Sequence, residues 1–297
     1  MKIIVFGDIL WDVFPGKREI GGAAFNFAAH MSKLGADVKM VTAVGMDADG
    51  DEALLEAGAF GMDTAGIARV QAPTGRSLVT LKNGIPDYEL PFPAAYDCVP
   101  LPRDTTGYMN ADALYLGTLP SRDPNGVTRA SALKLLLEGS YREIFFDINI
   151  RKQYYSPDFI DAVLSRTTIF KLSRDEISVL GLSGAADNES VCRAICGRYP
   201  GIRTVLLTLD SDGAMAYSSS AGTFVYSEKP SVKVVSTVGG GDSLSACFLY
   251  NHLLGEPAQD CLRRASALAN FVVGHLGAIP AYTPELTAAV KPPEKQP

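Results

Sequence analysis

Residues 234–249 read VVSTVGGGDSLSACFL. Val234 and Val235 lead toward three consecutive glycines, Gly239, Gly240 and Gly241; Asp242 follows at once, and an apolar-periodic stretch of helical character begins. Glycines at a helix entrance let backbone amides approach an anion closely, because no Cβ stands in the way and positive φ is cheap. The first turn of a helix also carries unpaired N–H groups and a partial positive charge. The segment therefore predicts a loop-to-helix phosphate site. A carboxylate placed there repels a phosphate that is merely bound. It makes sense if Asp242 accepts the proton of a hydroxyl about to attack that phosphate.

Outward from this segment, short apolar runs recur at 3–6, 38–44, 113–116, 144–146, 169–172 and 204–209. Apolar on both faces, they suit buried parallel strands. Helical patterns lie at 23–34, 51–59, 125–138, 187–198, 243–254 and 259–275. The alternation predicts an α/β fold: a doubly wound, mainly parallel sheet flanked by helices. Residues 213–227 read as an antiparallel ribbon turning near Ser220–Gly222. Residues 70–92 break the rhythm, alternating in type around Asn83-Gly84, a hairpin signal. A small β insertion at about 70–95 is expected, as a sheet edge, a dimer surface or a lid. The organisation is then one α/β domain over 1–290 carrying this insertion, with a charged, proline-rich tail at 291–297.

The 297 residues are 47% hydrophobic and 20% charged, an ordinary globular composition with ample core. A net charge of -6 argues against nucleic-acid and anionic-membrane partners, which want a basic face. Five cysteines without paired spacing make no disulfide framework. Cys192 and Cys196 sit four apart in a helical pattern, but His30, His252 and His275 are remote, and a structural zinc needs about four such ligands. No run approaches the ~20 apolar residues of a membrane span. MKIIVFGDIL is too short in its apolar part for a signal peptide and is broken by Asp8, so a cytoplasmic location is expected.

Four constellations carry chemistry. Gly7-Asp8 and Asp12 follow the first strand, on the side where ligands of open α/β sheets gather. A carboxylate there can accept from two neighbouring sugar hydroxyls; either acid serves equally as a turn cap. Gly21-Gly22 precede a helix that carries Asn26 about one turn inside, where a carboxamide can donate and accept. Glycine pairs also serve plain loop-to-helix packing. Asp147, Asn149 and Arg151 alternate at a strand end, which points them the same way, toward a site or into a capping and salt-bridge network. In Lys171-Leu-Ser173-Arg-Asp175-Glu176 the acids either cap a helix start or hold magnesium through water. Two nucleotide fingerprints are missing. Gly45-Met-Asp47-Ala-Asp49-Gly50 lacks the lysine of a P-loop, and GDILWD stands where a dinucleotide motif would follow the first strand.

Taken in this order, the residues resemble the ribokinase-like (phosphofructokinase-B type) carbohydrate kinases almost end to end. GGAAFNFAAHMSKLG looks like that family's N-terminal signature, VGMDADG matches its VGxDxxG element, and Pro73-Thr74-Gly75 looks like the start of its sugar-covering lid. STVGGGDSLSACF is similar to its C-terminal signature, usually DTxGAGDxFxAgF. The resemblance implies Asp242 as catalytic base with Gly239, Gly240 and Gly241 as the anion hole. It implies sugar contacts at Asp12, Gly22 and Asn26, with Arg151 as a substrate contact if the chain is of the fructokinase branch, and nucleotide contacts at Lys171, Thr208, Gly213 and Asn270. Gly21 and Asn149, from the constellations above, are expected in the same sugar site. ATP and magnesium are the implied cofactors, with Glu176 holding the metal through water.

DINIR and KLSRDE look most like the fructokinase branch, which implies phosphorylation of fructose to fructose 6-phosphate. A 2-keto-3-deoxygluconate, other sugar or nucleoside kinase, and a non-catalytic sugar or nucleotide sensor, are the alternatives. Three residues depart from the pattern. Ser173 replaces the asparagine of an NxxE motif, and Asp210 replaces a glycine after Thr208. Ser236 replaces an aspartate that helps hold a monovalent cation, so that cofactor is the one this sequence supports least. Apolar alternation at Leu78, Val79 and Leu81 hints at a homodimer through the lid.

Overall fold

A computed structural model describes residues 1–82, 85–152, 154–182, 184–230 and 232–293. In chain order its strands are β1 (Lys2–Phe6), β2 (Leu10–Phe14), β3 (Lys17–Gly21), β4 (Asp37–Gly45), β5 (Ile67–Val70), β6 (Gly75–Lys82), β7 (Ile85–Glu89), β8 (Asn110–Leu116), β9 (Ser140–Asp147), β10 (Ile169–Ser173), β11 (Thr204–Thr208), β12 (Ala214–Ser218) and β13 (Thr223–Tyr226). The helices are α1 (Ala23–Lys33), α2 (Ala48–Ala59), α3 (Val127–Glu138), α4 (Pro157–Leu164), α5 (Asn188–Arg198), α6 (Gly240–Leu253), α7 (Ala258–Val273) and α8 (Pro284–Val290).

Nine strands form the main sheet in the order β13-β12-β11-β10-β9-β8-β1-β4-β5. Pairing is parallel from β5 to β11, and β12 and β13 add the expected antiparallel ribbon at one edge. Period-two alternation fills both faces. Ile3 and Val5 of β1 enter the core under α1, α6 and α7, while Ile4 and Phe6 enter the core under α3, α4 and α5. Tyr115 and Leu116 of β8 divide in the same way. Both layers are needed because each strand is apolar on both sides.

The second sheet corrects the reading of a lone inserted hairpin. Its order is β3-β2-β6-β7, so half of this small sheet comes from residues 10–21. β2 turns back antiparallel into β3 and pairs in parallel with β6, which sets Asp12 opposite Ser77. The turn between β2 and β3 is Pro15-Gly16, with Gly16 at φ 82. Asn83-Gly84 and the side chains of Val79 and Leu81 lie outside the described residues.

The small sheet is clasped to the body at the β4–α2 turn. Asp47 caps α2 by accepting from Gly50 N at 2.8 Å, and it also accepts from Thr74 N at 2.9 Å. Thr74 Oγ1 in turn accepts from Gly45 N at 2.8 Å. Asp49 of α2 pairs with Arg18 of β3 and with Arg76 of β6. The VGMDADG element is therefore an anchor for the small sheet.

Two more expectations change. The chain leaves β9 at Asp147 and Asn149 adopts φ 38, so the strand alternation does not continue through Asn149 and Arg151. The segment after Ser173 is a 3-10 turn over Arg174–Leu180 rather than an α-helix.

Candidate active site

The strand order reverses about β1, with β4 on one side and β8 on the other, and ligands of such sheets bind beyond the carboxyl ends at that switch. A cavity of about 310 Å³ lies there. Asp8 follows β1, Leu119 follows β8, Asn149 and Arg151 follow β9, and Lys171 rises from β10. The small sheet contributes Asp12 and Ser77, α1 and its N-cap contribute Asn26 and Gly22, and the glycine turn closes the end with Gly239, Gly241 and Asp242.

A second cavity, about 570 Å³, opens on the far side of the same turn. Thr208, Gly213, Asn270 and Gly240 line it, as does Asp210. Val232, Val234, Leu244 and Val273 give it an apolar wall. Thr237 and Gly241 line both cavities, so the turn is their common wall.

Gly239 is the N-cap of α6 at φ 78, a conformation that disfavours any side chain, and an added Cβ would stand 2.7 Å from the Ala278 carbonyl oxygen. α6 then starts at Gly240 rather than at 243, which puts Asp242 in its first turn. Beyond the helix itself, the N–H groups of Gly241 and Asp242 find no carbonyl acceptor among the described residues. They are free donors beside the carboxylate.

Asn26 Nδ2 donates to Asp242 Oδ2 at 2.8 Å, while Asn26 Oδ1 is buried without a partner among the described residues. Burial raises the Asp242 pKa to about 7; Asp147 adds to the rise, and the Asn26 bond, Lys171 and Arg151 work against it. Burial likewise raises Asp12 to about 6, against the hydrogen bond from Ser77. Arg151 is exposed at the mouth and makes no ion pair among the described residues. Asp8 accepts from Ala23 N at 2.9 Å, so it fixes the start of α1 as well as lining the cavity.

Three expected site residues stand elsewhere. Lys171 lines the first cavity and not the second; its Nζ pairs with the fully buried Asp147 at 3.0 Å. Burial works against its charge, yet the Asp147 and Glu176 carboxylates hold its pKa above the usual lysine value. Gly21 lines neither cavity. It sits on β3, where an added Cβ would meet Asp12 Oδ2 at 2.5 Å, so its bare Cα makes room for that carboxylate. Glu176 also lines neither: Oε1 accepts from Ile150 N at 2.6 Å and Oε2 from Ser173 N at 2.7 Å. Each oxygen thus accepts one backbone N–H.

Sequence reasoning missed Leu10, Phe14, Leu90 and Leu119, the apolar side of the first cavity, and Ser77. The signal available was the alternation of Leu10, Asp12 and Phe14 ahead of Pro15-Gly16, which marks a strand and a turn.

The family model of the pfkB family carbohydrate kinases matches residues 6–285. The chain belongs to the pfkB family. It is similar to a cytidine kinase of Thermococcus kodakarensis, 25% identical over 89% of this chain and 92% of the relative. It is also similar to a fructokinase of Rhizobium leguminosarum bv. trifolii, 28% identical over 83% of this chain and 78% of the relative. The aminoimidazole riboside kinase of Salmonella enterica, solved with aminoimidazole riboside and an ATP analog, superposes with a TM-score of 0.77 at 20% identity, covering 98% of this chain and 100% of that one. The fold class is thereby that of ribokinase-like kinases. No helix among the described residues is long and apolar enough to cross a membrane.

A pfkB-family kinase is expected to use magnesium, and the donor set can be tested for it. Among the described residues no group of three His, Cys, Asp or Glu side chains is placed to hold a metal ion, and Glu176 is occupied as above. Among the described residues there is thus no all-protein magnesium cage, and magnesium ordinarily relies on water and substrate phosphates beside one or two carboxylates.

Proposed function

We propose that this protein transfers the γ-phosphate of ATP to a primary hydroxyl of a small sugar, with fructose as the acceptor and fructose 6-phosphate as the product. The observation that carries the reading is the glycine turn standing as the one wall common to both cavities, with Asp242 on the first side. A sugar in the first cavity and a nucleotide in the second would meet at Gly241.

The acceptor hydroxyl gives its proton to Asp242 as its oxygen attacks the γ-phosphorus. The bond from that phosphorus to the bridging oxygen breaks and ADP leaves. The free N–H groups of Gly241 and Asp242 are placed to stabilise charge spreading onto the phosphoryl oxygens. Asp12, Asn26 through its unpartnered Oδ1, Asn149 and Arg151 would orient the acceptor. The lid would exclude water, which limits ATP hydrolysis. Thr208, Gly213 and Asn270 would hold the nucleotide. Any magnesium the reaction uses would come with the nucleotide phosphates.

A second reading within the same chemistry has support. Arg151 makes no ion pair among the described residues and suits a sugar carboxylate such as that of 2-keto-3-deoxygluconate. The apolar side of the cavity and the likeness to a cytidine kinase suit a nucleoside. Coupled ADP release across a panel of monosaccharides, sugar acids and nucleosides decides among them. ADP production that rises with fructose above all others supports the first reading, and ADP production with no acceptor dependence sinks both. Binding of a sugar without any ADP formation would instead mark a sensor.

A further inference from the structure

Helix α1 reaches the glycine turn at two points. Asn26 holds Asp242, and four residues on, His30 is fully buried on the same helix. Its Nε2 lies 3.0 Å from the Ala278 carbonyl oxygen and its Nδ1 lies 2.6 Å from the Tyr282 hydroxyl. A carbonyl can only accept, so Nε2 carries the proton; Nδ1 of the neutral ring then accepts from the Tyr282 O–H. Burial keeps the ring neutral, lowering its pKa to about 4. Tyr282 thus fixes the tautomer that Ala278 requires.

Ala278 in turn forms the back of the turn. An added Cβ on Gly239 would meet its oxygen at 2.7 Å and its Cα and Cβ at 2.8 Å, which places Gly239 in close contact with this one residue. No backbone N–H donates to the Ala278 carbonyl among the described residues outside the helices and strands, so the His30 ring is its hydrogen bond. Loss of that donor leaves a buried carbonyl unpaired, and such a group moves to find a partner. The glycine packed on it would move too. Donors at an anion site act only when aimed to within a few tenths of an ångström.

We propose that His30, its tautomer set by Tyr282, is a positioning residue for phosphoryl transfer: it pins Ala278 against Gly239 and so aims the free N–H groups of Gly241 and Asp242. This rests on the phosphotransfer reading above. One helix would then set both the base, through Asn26, and the anion site, through His30.

The test compares His30→Leu, His30→Gln and Tyr282→Phe with the wild type, using the acceptor found in the panel assay. His30→Leu is expected to lower kcat by about tenfold or more with both KM values within about threefold, because only the transition state needs the aim. His30→Gln carries an amide N–H that can reach the same carbonyl, and it should recover most of kcat. A merely structural histidine predicts lower thermal stability in both variants with kcat of the folded protein unmoved, and that result overturns the proposal. If His30→Leu does not fold, Tyr282→Phe decides. It keeps the packing and removes only the hydroxyl, and should cost about threefold or more in kcat; an unchanged kcat overturns the proposal.

A spectroscopic reading needs no turnover. With only three histidines, long-range 1H–15N correlation should show the buried ring as the Nε2–H tautomer at neutral pH. The Nδ1–H tautomer or an imidazolium there overturns the proposal. Wild-type protein that phosphorylates no acceptor sinks the phosphotransfer reading itself, whereas an active wild type with an unimpaired His30→Leu sinks this inference alone.

Discussion

Asn26 and Asp242, 216 residues apart in the chain, are joined by a 2.8 Å hydrogen bond from the carboxamide nitrogen to the carboxylate. The bond brings the first helix and the glycine turn to one cavity. It leaves Asp242 Oδ1 for the proposed role of proton acceptor. General-base help is typically worth about 10²–10⁴-fold. Asp242→Asn is therefore expected to lose about that much in kcat with the sugar KM nearly unchanged, measured by coupled ADP release. A variant that keeps most of its rate would remove Asp242 from the role.

The Asp242 pKa of about 7 gives a direction in pH. Only the carboxylate accepts a proton, so kcat/KM should be full above about pH 7 and fall as pH drops through it. The Asn26 bond opposes the rise. Asn26→Ala should therefore move the acid limb to higher pH. A limb that moves the other way, or does not move, contradicts the assignment.

The same raised pKa has a stability consequence of opposite sign. A carboxyl held above its ordinary 3.8 favours the folded state while protonated, and that contribution is lost as pH rises toward about 7. Asp242→Asn never ionises. Its melting temperature should exceed that of the wild type at pH 8, with the gap closing toward pH 4. Thermal melts across that range check it.

Lys171 and Asp147 form a buried pair whose loss should be felt in folding. Removing one member of a buried ion pair typically costs about 3–5 kcal/mol, because its partner stays charged and unpaired. Lys171→Met should lower the denaturant midpoint accordingly, and adding Asp147→Leu should recover a good part of the loss. Additive losses in the double variant would show that the two do not act as a pair.

Gly239→Ala tests the turn itself. The new Cβ meets the Ala278 backbone and sits on a residue at φ 78, so the turn must shift. Displacing donors from an anion site costs about 10²–10³ in kcat, with strain of about 1–3 kcal/mol in stability. An alanine variant with wild-type turnover would mean that the turn plays no part in transfer.

Much of the main sheet was legible because its strands are apolar on both faces and its helices repeat with period 3.6. The glycine turn and the residues at strand ends could be named for the same reason: glycine runs and isolated acids are local signals. Asp12 was named but misplaced, since it stands on β2 of the small sheet and not beside β1. Five-residue strands such as β2 and β3 show too few alternations to stand out, and their partner β6 is remote in sequence. Glu176 and Lys171 show a different limit. A charged side chain after a strand has the same local appearance whether it meets ligand, caps a turn or pairs with a neighbour.

The sequence by itself determined the layered α/β architecture and the glycine turn at a helix start, because hydrophobic period and glycine placement act over a few residues. Only the tertiary structure decided that this turn divides two cavities, that Asn26 holds Asp242 while Lys171 pairs with Asp147, and that Glu176 caps backbone. Those outcomes depend on which carboxylates lose water and which donors reach them. Both are set by segments that lie far apart along the chain.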